Sequence, residues 1–431
     1  MRRQSRPDKL MGNRRPFLRS FLAAILFGVA GLVGLVLVVS LSPGTGTHGA
    51  DMLRGILGPQ PVADMEAVVF TVQDAMHHIL FTLQGGQPAA PWQVATATRP
   101  IASIPSTDRP TLTATITPDS VLDKNALNAP DNATPTATQL PLTATPTLSP
   151  TPTPWLPAEI TPLGKVPEEG VWESWIWDGS GATVAYRTYL APDARRQYAV
   201  VAVVAMELNK LQLHYQLGTE EPVFSGGEPR TGQIPMSFLQ PGTLMAAFNG
   251  AFKTIHGNYG VMVDGNTLVP MIDGMATLVI YKDGSLRMGA WGVDLTNSPE
   301  ITVARQNCRL MVDHGEINPD VYNDSIAMWG GTLSGNIVTF RSGIGLSEDG
   351  NTLYYFAGNY LSMGALANAM LAAGAYQAMQ LDINNYYVLF TRFDVQDGKL
   401  VATPLLPKEM ADNSGRFLGS YSRDFFYITI K

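Results

Sequence analysis

A stretch of 62 residues without an aromatic side chain divides this sequence into unlike parts. Residues 93–154 contain eleven prolines and a run of Thr-Pro repeats, but no Phe, Trp or Tyr. Such a segment buries too little apolar surface to offset the entropy of ordering it, and its prolines stiffen it toward an extended form. The sequence therefore predicts a disordered Thr/Pro-rich linker over residues 92–165, with the main hydrophobic core on its C-terminal side.

The N-terminal part has the composition of a membrane anchor. Residues 21–41 contain no charge, and a helix of that length would cross the roughly 30 Å hydrocarbon layer. Residues 1–19 carry seven Lys or Arg against one acid, which favours the cytoplasmic side. We expect a cytoplasmic basic tail (1–19), a single transmembrane anchor (20–41) and a domain outside the cytoplasm. A cleaved signal peptide is the alternative, although its apolar region is normally about 7–15 residues long.

The juxtamembrane region, residues 42–91, includes a candidate amphipathic helix over residues 61–83. Apolar residues recur there at spacings of 3 and 4 over three heptads. One interpretation is a helix that lies on the membrane or on a neighbouring surface. The other is a weak parallel dimer through this helix. The recurring residues are Val62, Met65, Val69, Val72, Met76, Ile79 and Leu83.

Charge and cysteine content exclude several functions for residues 166–431. This part holds 17 Lys and Arg against 26 Asp and Glu, a balance of −9. An acidic domain is a poor nucleic-acid binder, because phosphate neutralisation supplies most of that affinity. Cys308 is the single cysteine, which excludes an intrachain disulfide and a cysteine-based zinc site. The common protease, hydrolase and nucleotide motifs are absent, so neither a metal nor a cofactor is predicted.

Residues 166–431 have the pattern of a strand-rich α+β domain. Asp-Gly pairs between apolar runs predict hairpins with strands over residues 260–263, 276–281 and 286–289. A helix over residues 363–373 lies between two further strand candidates, with Ser362 suited to its N-cap and Gly374 to its end. This strand–helix–strand unit predicts two parallel strands with a right-handed crossover, and hence a mixed sheet.

The segment YQAMQLDINNYYVLFTR, residues 376–392, places polar side chains at the edge of the predicted core. Asp382 ends an apolar strand, and Asn384 and Asn385 follow it. Carboxylates and amides are costly to bury without partners, so such a group marks a ligand site, a catalytic site or a turn. Two other loop clusters have similar character, over residues 248–260 and 341–345.

The order of these motifs resembles the phosphodiester glycosidase family over about residues 166–431. The family's Asn-Gly-Gly-Phe-Phe corresponds to NGAFK at residues 249–253, and its Arg-Thr-Ala-Ile-Gly to RSGIG at residues 341–345. Its Leu-Asp-Gly-Gly-Gly-Ser corresponds to LDINNY at residues 381–386. The third motif departs from the family, because bulky side chains replace glycines that expose backbone N–H groups to an anionic ligand.

The resemblance implies a hydrolase that cleaves a phosphodiester-linked sugar in an envelope or extracellular glycan. It carries over Asp382, Arg341 and Asn249 as catalytic residues. The planar fork of Arg341 suits a phosphate, and a phosphate monoester leaves readily, so one carboxylate and one cation suffice. The candidate substrate-binding residues are Asn384, Asn385, His256 and Lys253.

Structural roles remain open for the same residues. Arg341 fits a surface ion pair, Asn249 a turn residue before Gly250, His256 a structural histidine, and Asp382 a turn residue. The alternative function is a non-catalytic module that binds envelope glycan. Convergence of Asn249, Arg341 and Asp382 in one pocket would favour the enzyme, and scattered positions would favour the binding module.

Overall fold

The computed structural model describes residues 43–92 (43–48 by their backbone alone), 155–226, 229–322, 329 and 337–431. The predicted basic tail and membrane span, residues 1–19 and 20–41, lie outside these residues, as does most of the predicted linker. Within the described ranges, no helix is both long enough and apolar enough to cross a membrane.

The described residues form three α-helices and eighteen strands. The helices are α1 (Pro43–Leu57), α2 (Pro59–Leu83) and α3 (Met363–Ala372). The strands are β1 (Glu173–Trp177), β2 (Thr183–Leu190), β3 (Val201–Glu207), β4 (Leu211–Gln216), β5 (Leu244–Asn249), β6 (Val261–Val263), β7 (Asn266–Val269), β8 (Ala276–Tyr281), β9 (Leu286–Ala290), β10 (Ile301–Gln306), β11 (Leu310–Asp313), β12 (Glu316–Ile317), β13 (Thr339–Leu346), β14 (Thr352–Leu361), β15 (Gln377–Gln380), β16 (Phe390–Gln396), β17 (Lys399–Pro404) and β18 (Phe425–Ile430).

The strands form three sheets. The first sheet has eight strands in the order β1-β2-β3-β14-β13-β15-β11-β12. The second has the order β17-β16-β5-β18-β4, and the third has the order β7-β6-β10-β8-β9. The hairpins predicted at Asp264-Gly265 and Asp283-Gly284 are present as β6–β7 and β8–β9.

The first sheet is buried on both faces. On one face, the ring of Tyr355 lies 5.1 Å from that of Phe248 and 5.0 Å from that of Phe390, both in the second sheet. On the other face, Phe356 belongs to a separate core cluster with Leu366 of α3. Full burial of each such side chain contributes about 1.5–3 kcal/mol. The core therefore consists of two apolar layers with the first sheet between them.

The predicted mixed sheet is not observed. Helix α3 connects β14 to β15 as the sequence indicates, but β13 lies between these strands, with Gly343 paired to Phe356 on one side and Gln380 on the other. Every hydrogen-bonded pair of the named strands is antiparallel. The predicted α+β class is wrong as well, because the described residues form a sheet-rich, antiparallel fold with eighteen strands and three helices. Hydrophobic pattern marks a buried strand but does not specify which strand lies beside it.

Helix α3 begins and ends as its sequence predicts. The Ser362 hydroxyl accepts a hydrogen bond from the backbone N–H of Ala365 at 3.1 Å. Gly374 follows the helix with a φ of +94°, a conformation that glycine adopts without strain. The chain then enters β15, which ends two residues before Asp382.

Helix α2 packs on the sheet domain with several apolar side chains. Val62, Ala63 and Val69 are buried. The ring of His77 stacks on that of Tyr360 with centroids 4.3 Å apart. Helix α2 covers the segment for which the 3-and-4 spacing predicts a helix, but only part of that apolar seam is buried.

The Asn-Gly pair that ends β5 has a steric explanation. The backbone N–H of Gly250 donates to the carbonyl oxygen of Asp424 at 3.1 Å. A Cβ at Gly250 would lie 2.6 Å from both that oxygen and Oδ2 of Asp424. Any larger residue would therefore separate the end of β5 from the start of β18.

Gly250→Ala is expected to destabilise the domain by about 1–3 kcal/mol, the usual cost of overpacking a core. Thermal unfolding followed by circular dichroism measures the change. Gly419→Ala is the matched control, because nothing lies within 4 Å of a Cβ built there. Equal melting temperatures for the two variants would contradict the steric argument.

Candidate functional site

Asp382 lies where the ladder between β13 and β15 ends. The backbone N–H of Leu381 donates to Ser342 O at 2.9 Å, and the N–H of Ser342 donates to Asp382 O at 3.1 Å, so the pairing extends past β15. The side chain of Asp382 turns back on its own loop, where Oδ1 accepts from the N–H of Asn384 at 2.9 Å. Asp382 is 5% exposed. The loop is thus a turn that also fixes a nearly buried carboxylate.

Arg423 is the charge partner of Asp382. Its Nη2 donates to Asp382 Oδ2 at 2.8 Å and to the Ala251 carbonyl at 2.9 Å. Burial lowers the pKa of Arg423, but the negative charges of Asp382 and Asp424 outweigh burial, and the pKa is raised above its usual value. The guanidinium carbon lies 4.4 Å from the ring centroid of Tyr387. The site therefore holds a paired carboxylate and guanidinium over an aromatic face.

A second buried pair lies directly beside the first. Arg305 Nε donates to Asp424 Oδ2 at 2.8 Å, and the Tyr215 hydroxyl donates to the same oxygen at 3.0 Å. Arg305 Nη2 also donates to the Phe252 carbonyl at 2.9 Å. Because Phe252 belongs to the loop after β5, this pair positions the residues that follow it.

The loop after β5 also carries Lys253 and His256, and both contact Asp51. Lys253 Nζ lies 5.0 Å from the ring centroid of Tyr387, the ring that also contacts Arg423. Lys253 Nζ donates to Asp51 Oδ2 at 2.6 Å, and His256 Nε2 lies 3.4 Å from Asp51 Oδ1. Asp51 is part of α1, so this helix reaches over the site and places a carboxylate against its basic side chains.

The pKa values of this contact are consistent with an ion pair. Burial raises the pKa of Asp51, but hydrogen bonds from His256 and Lys253 outweigh burial and hold it well below its usual range. Burial likewise lowers the pKa of Lys253, but the hydrogen bond to Asp51 outweighs it and the pKa is raised. Both groups therefore carry their charge at neutral pH.

Asn249 is a connecting residue whose amide is fully used by the protein. Its Nδ2 donates to the Gly250 carbonyl at 3.0 Å and to Ser342 Oγ at 3.1 Å. Its Oδ1 accepts from the Tyr355 hydroxyl at 2.8 Å and from the N–H of Leu389 at 3.2 Å. The Ser342 hydroxyl in turn donates to the Asp382 carbonyl at 2.7 Å. Asn249 thus supports the backbone of Asp382 rather than facing a ligand.

The structure places Arg341 away from Asp382. Adjacent strand residues face opposite sides of a sheet, so Ser342 faces Asn249 while Arg341 faces the layer under α3. Its Nε donates to Leu361 O, Nη1 to Gln380 Oε1 and Nη2 to Ile337 O, each at 2.8 Å. Burial lowers its pKa to about 10. The three predicted catalytic residues therefore do not converge, because Arg341 supports the fold on the other face.

The two asparagines after Asp382 lie in its turn. Asn384 Oδ1 accepts from the N–H of Tyr386 at 2.9 Å, and Asn385 is exposed. Among the described residues, no group of three or more His, Cys, Asp or Glu side chains is arranged to hold a metal.

Arg423, Tyr387 and Asp51 are the site residues that sequence reasoning missed. The available signal was the Arg423–Asp424 pair directly before the apolar strand β18, since charges at that position need buried partners. Nothing in the sequence near Asp51 indicates that it reaches a loop 202 residues away.

No protein-family model and no curated protein matches this chain. Among solved structures, the chain is distantly similar to the catalytic domain of zebrafish N-acetylglucosamine-1-phosphodiester alpha-N-acetylglucosaminidase, auto-inhibited by its pro-peptide. The identity is 14% and the TM-score 0.38, with 60% of this chain and 87% of that chain covered. A hypothetical protein from Synechocystis matches at 10% identity and a TM-score of 0.28, covering 60% and 62% of the two chains. An exported protein from Burkholderia pseudomallei matches at 12% identity and a TM-score of 0.30, covering 54% of this chain and 74% of that chain. These values indicate a distant fold relationship only.

Arg341→Lys is expected to lower the free energy of unfolding by about 1–3 kcal/mol, because a lysine leaves buried acceptors of the guanidinium unpaired. Its affinity for a sugar 1-phosphate should match that of the wild type. Arg423→Lys is the matched variant, and it should weaken that affinity because Arg423 lies at the site. Chemical denaturation and isothermal calorimetry measure the two effects. Weaker sugar phosphate binding by Arg341→Lys with unchanged stability would contradict this structural role and indicate that Arg341 binds the phosphate.

Proposed function

We propose that the domain hydrolyses the bond between a sugar and a phosphodiester, with Asp382 as the reacting carboxylate. One observation carries the proposal: Arg423 holds this carboxylate at 2.8 Å, and both Arg423 and Lys253 contact the ring of Tyr387. A single carboxylate among basic groups suits a glycoside whose leaving group is a phosphate. The motif order of the phosphodiester glycosidase family supports the same reaction.

The proposed reaction breaks the bond between the anomeric carbon and the phosphate oxygen. Water supplies the hydroxyl group that the sugar gains, and the phosphate leaves as a monoester. Asp382 either attacks the anomeric carbon first or takes a proton from the attacking water. Lys253 and Arg423 stabilise the negative charge of the departing phosphate, so no strong general acid is needed.

Arg341 has no part in this proposal, and Asn249 has an indirect one. Asn249 acts through the Ser342 hydroxyl, which donates to the Asp382 carbonyl at 2.7 Å. This link fixes the peptide of Asp382 and hence the direction of its side chain. Asn249 is therefore a positioning residue. In this proposal Arg423 and Lys253, rather than Arg341, bind the phosphate.

We further propose that α1 limits the activity. The Asp51 carboxylate occupies the position beside Lys253 and His256 that a substrate phosphate would need, with a separation of 2.6 Å from Lys253 Nζ. A substrate must displace this carboxylate before it can bind. The docked hairpin of α1 and α2 therefore competes with substrate.

The location outside the cytoplasm belongs to the proposal as well. It rests on the charge and hydropathy of residues 1–41 alone. An envelope or extracellular glycan would then be the source of the phosphodiester-linked sugar.

Asp382→Asn is expected to lower the rate of hydrolysis by on the order of 10²–10⁴-fold, the usual effect of removing a proton-transferring group. The assay is phosphate monoester release from a panel of sugar-1-phosphodiesters. Asp424→Asn is the matched control, because it also breaks a buried Asp–Arg pair but leaves the reacting carboxylate in place.

The two variants separate catalysis from folding. A folded Asp382→Asn protein with full activity would overturn the assignment. A wild-type protein that binds these glycans without cleaving any of them would identify a non-catalytic binding module instead.

Asp51→Asn is expected to increase the rate at subsaturating substrate by up to about fivefold, since a partly exposed ion pair contributes about 0.2–1 kcal/mol. The gain should appear in KM rather than kcat, because the carboxylate competes for the binding position. Asp64→Asn is the control: Asp64 lies on the same hairpin, is exposed, and accepts a hydrogen bond from Gln60. An unchanged KM in Asp51→Asn would contradict the competition.

A further inference from the structure

Many apolar side chains of the hairpin formed by α1 and α2 face solvent. Met52, Ile56, Met76, Ile79 and Leu83 are each more than half exposed, with fractions from 51% to 78%. We call these five exposed side chains, two on α1 and three on α2, the outer face. A surface helix of a water-soluble protein normally has the opposite arrangement, with its apolar stripe toward the core.

The charged side chains of the hairpin face the domain or each other. Helices α1 and α2 contain five Asp, Glu, Lys or Arg residues, and four of them form ion pairs. Asp51 pairs with Lys253 and Arg54, Arg54 also pairs with Glu66, and Asp74 pairs with Arg196. Asp64 is the only exposed one of the five. The outer face therefore has almost no charge to keep it in water.

An exposed apolar face of this kind indicates a partner. The sequence before α1 indicates which one. The uncharged apolar run of residues 21–41 ends two residues before Pro43, where α1 begins. Two residues span at most about 7 Å, so α1 starts beside a segment with the hydropathy of the lipid interior.

We propose that the outer face of α1 and α2 lies on a lipid surface, with its apolar side chains among the acyl chains at the interface. The hairpin presents no cluster of Lys or Arg, so burial of apolar surface rather than attraction to anionic headgroups drives the contact. This inference is independent of the proposed hydrolase activity.

A second copy of the chain fits the outer face less well. A parallel dimer through residues 61–83 would use Val62 and Val69 at its seam. Those side chains are 2% and 5% exposed, because they already pack against their own domain. Met76, Ile79 and Leu83 are exposed and keep the 3-and-4 spacing, but they span only about one heptad, which is too short for a coiled-coil seam.

The test places a polarity-sensitive dye at Ile79 through Ile79→Cys in the full chain, reconstituted into phosphatidylcholine vesicles. The natural Cys308 is fully buried and burial raises its pKa to about 12, so the dye labels the introduced thiol. Brominated acyl chains in the vesicles should quench this dye by at least half. Thr296→Cys, in the exposed loop after β9, is the control and should show no quenching.

Three outcomes would overturn the proposal. The first is equal fluorescence at position 79 in brominated and plain vesicles. The second is shielding of that dye from aqueous iodide that grows with protein concentration without quenching by lipid, which would identify a second copy as the partner. Adding Met76→Glu to the Ile79→Cys chain should reduce lipid quenching while the melting temperature stays unchanged. Quenching that survives this charge would contradict the lipid contact.

Discussion

Two adjacent ion pairs join the three sheets of this protein. Arg305 extends from β10 of the third sheet to Asp424, which precedes β18 of the second sheet. Arg423, one residue earlier, pairs with Asp382, which follows β15 of the first sheet. All four side chains are buried, and a charge removed from water is tolerated only with a well-placed partner. The candidate site therefore lies where the sheets meet, and the carboxylate of Asp382 is part of that junction.

Local features of the fold could be predicted from the sequence, and the sheet order could not. The hairpins at Asp-Gly turns and the ends of α3 depend on a few neighbouring residues, which is why they follow from turn and capping preferences. The insertion of β13 between β14 and β15 depends on contacts between distant strands with similar apolar patterns. A strand–helix–strand sequence is compatible with either order, so the parallel neighbours were the wrong choice.

The site could be predicted in part for a similar reason. The sequence marks Asp382 as a candidate because its own segment is unusual, with a carboxylate directly after a buried strand. Arg423 lies 41 residues further along the chain and became relevant only when the fold brought it to Asp382. Arg341 fits the family motif, but the alternation of strand residues turns it to the opposite face from Ser342. Sequence order thus located the loops of the site but not the direction of each side chain.

The order Arg423–Asp424 also protects the register of β18. These neighbours form pairs with opposite charges on different sheets, Asp382 for one and Arg305 for the other. If β18 slipped by one residue in one direction, Asp424 would meet Asp382; in the other direction, Arg423 would meet Arg305. Either slip brings like charges together in a dry interior, in addition to turning every apolar side chain of the strand to the wrong face. The dipeptide Arg423–Asp424 therefore disfavours a shifted register of β18, and exchanging its two residues would favour the misaligned sheet.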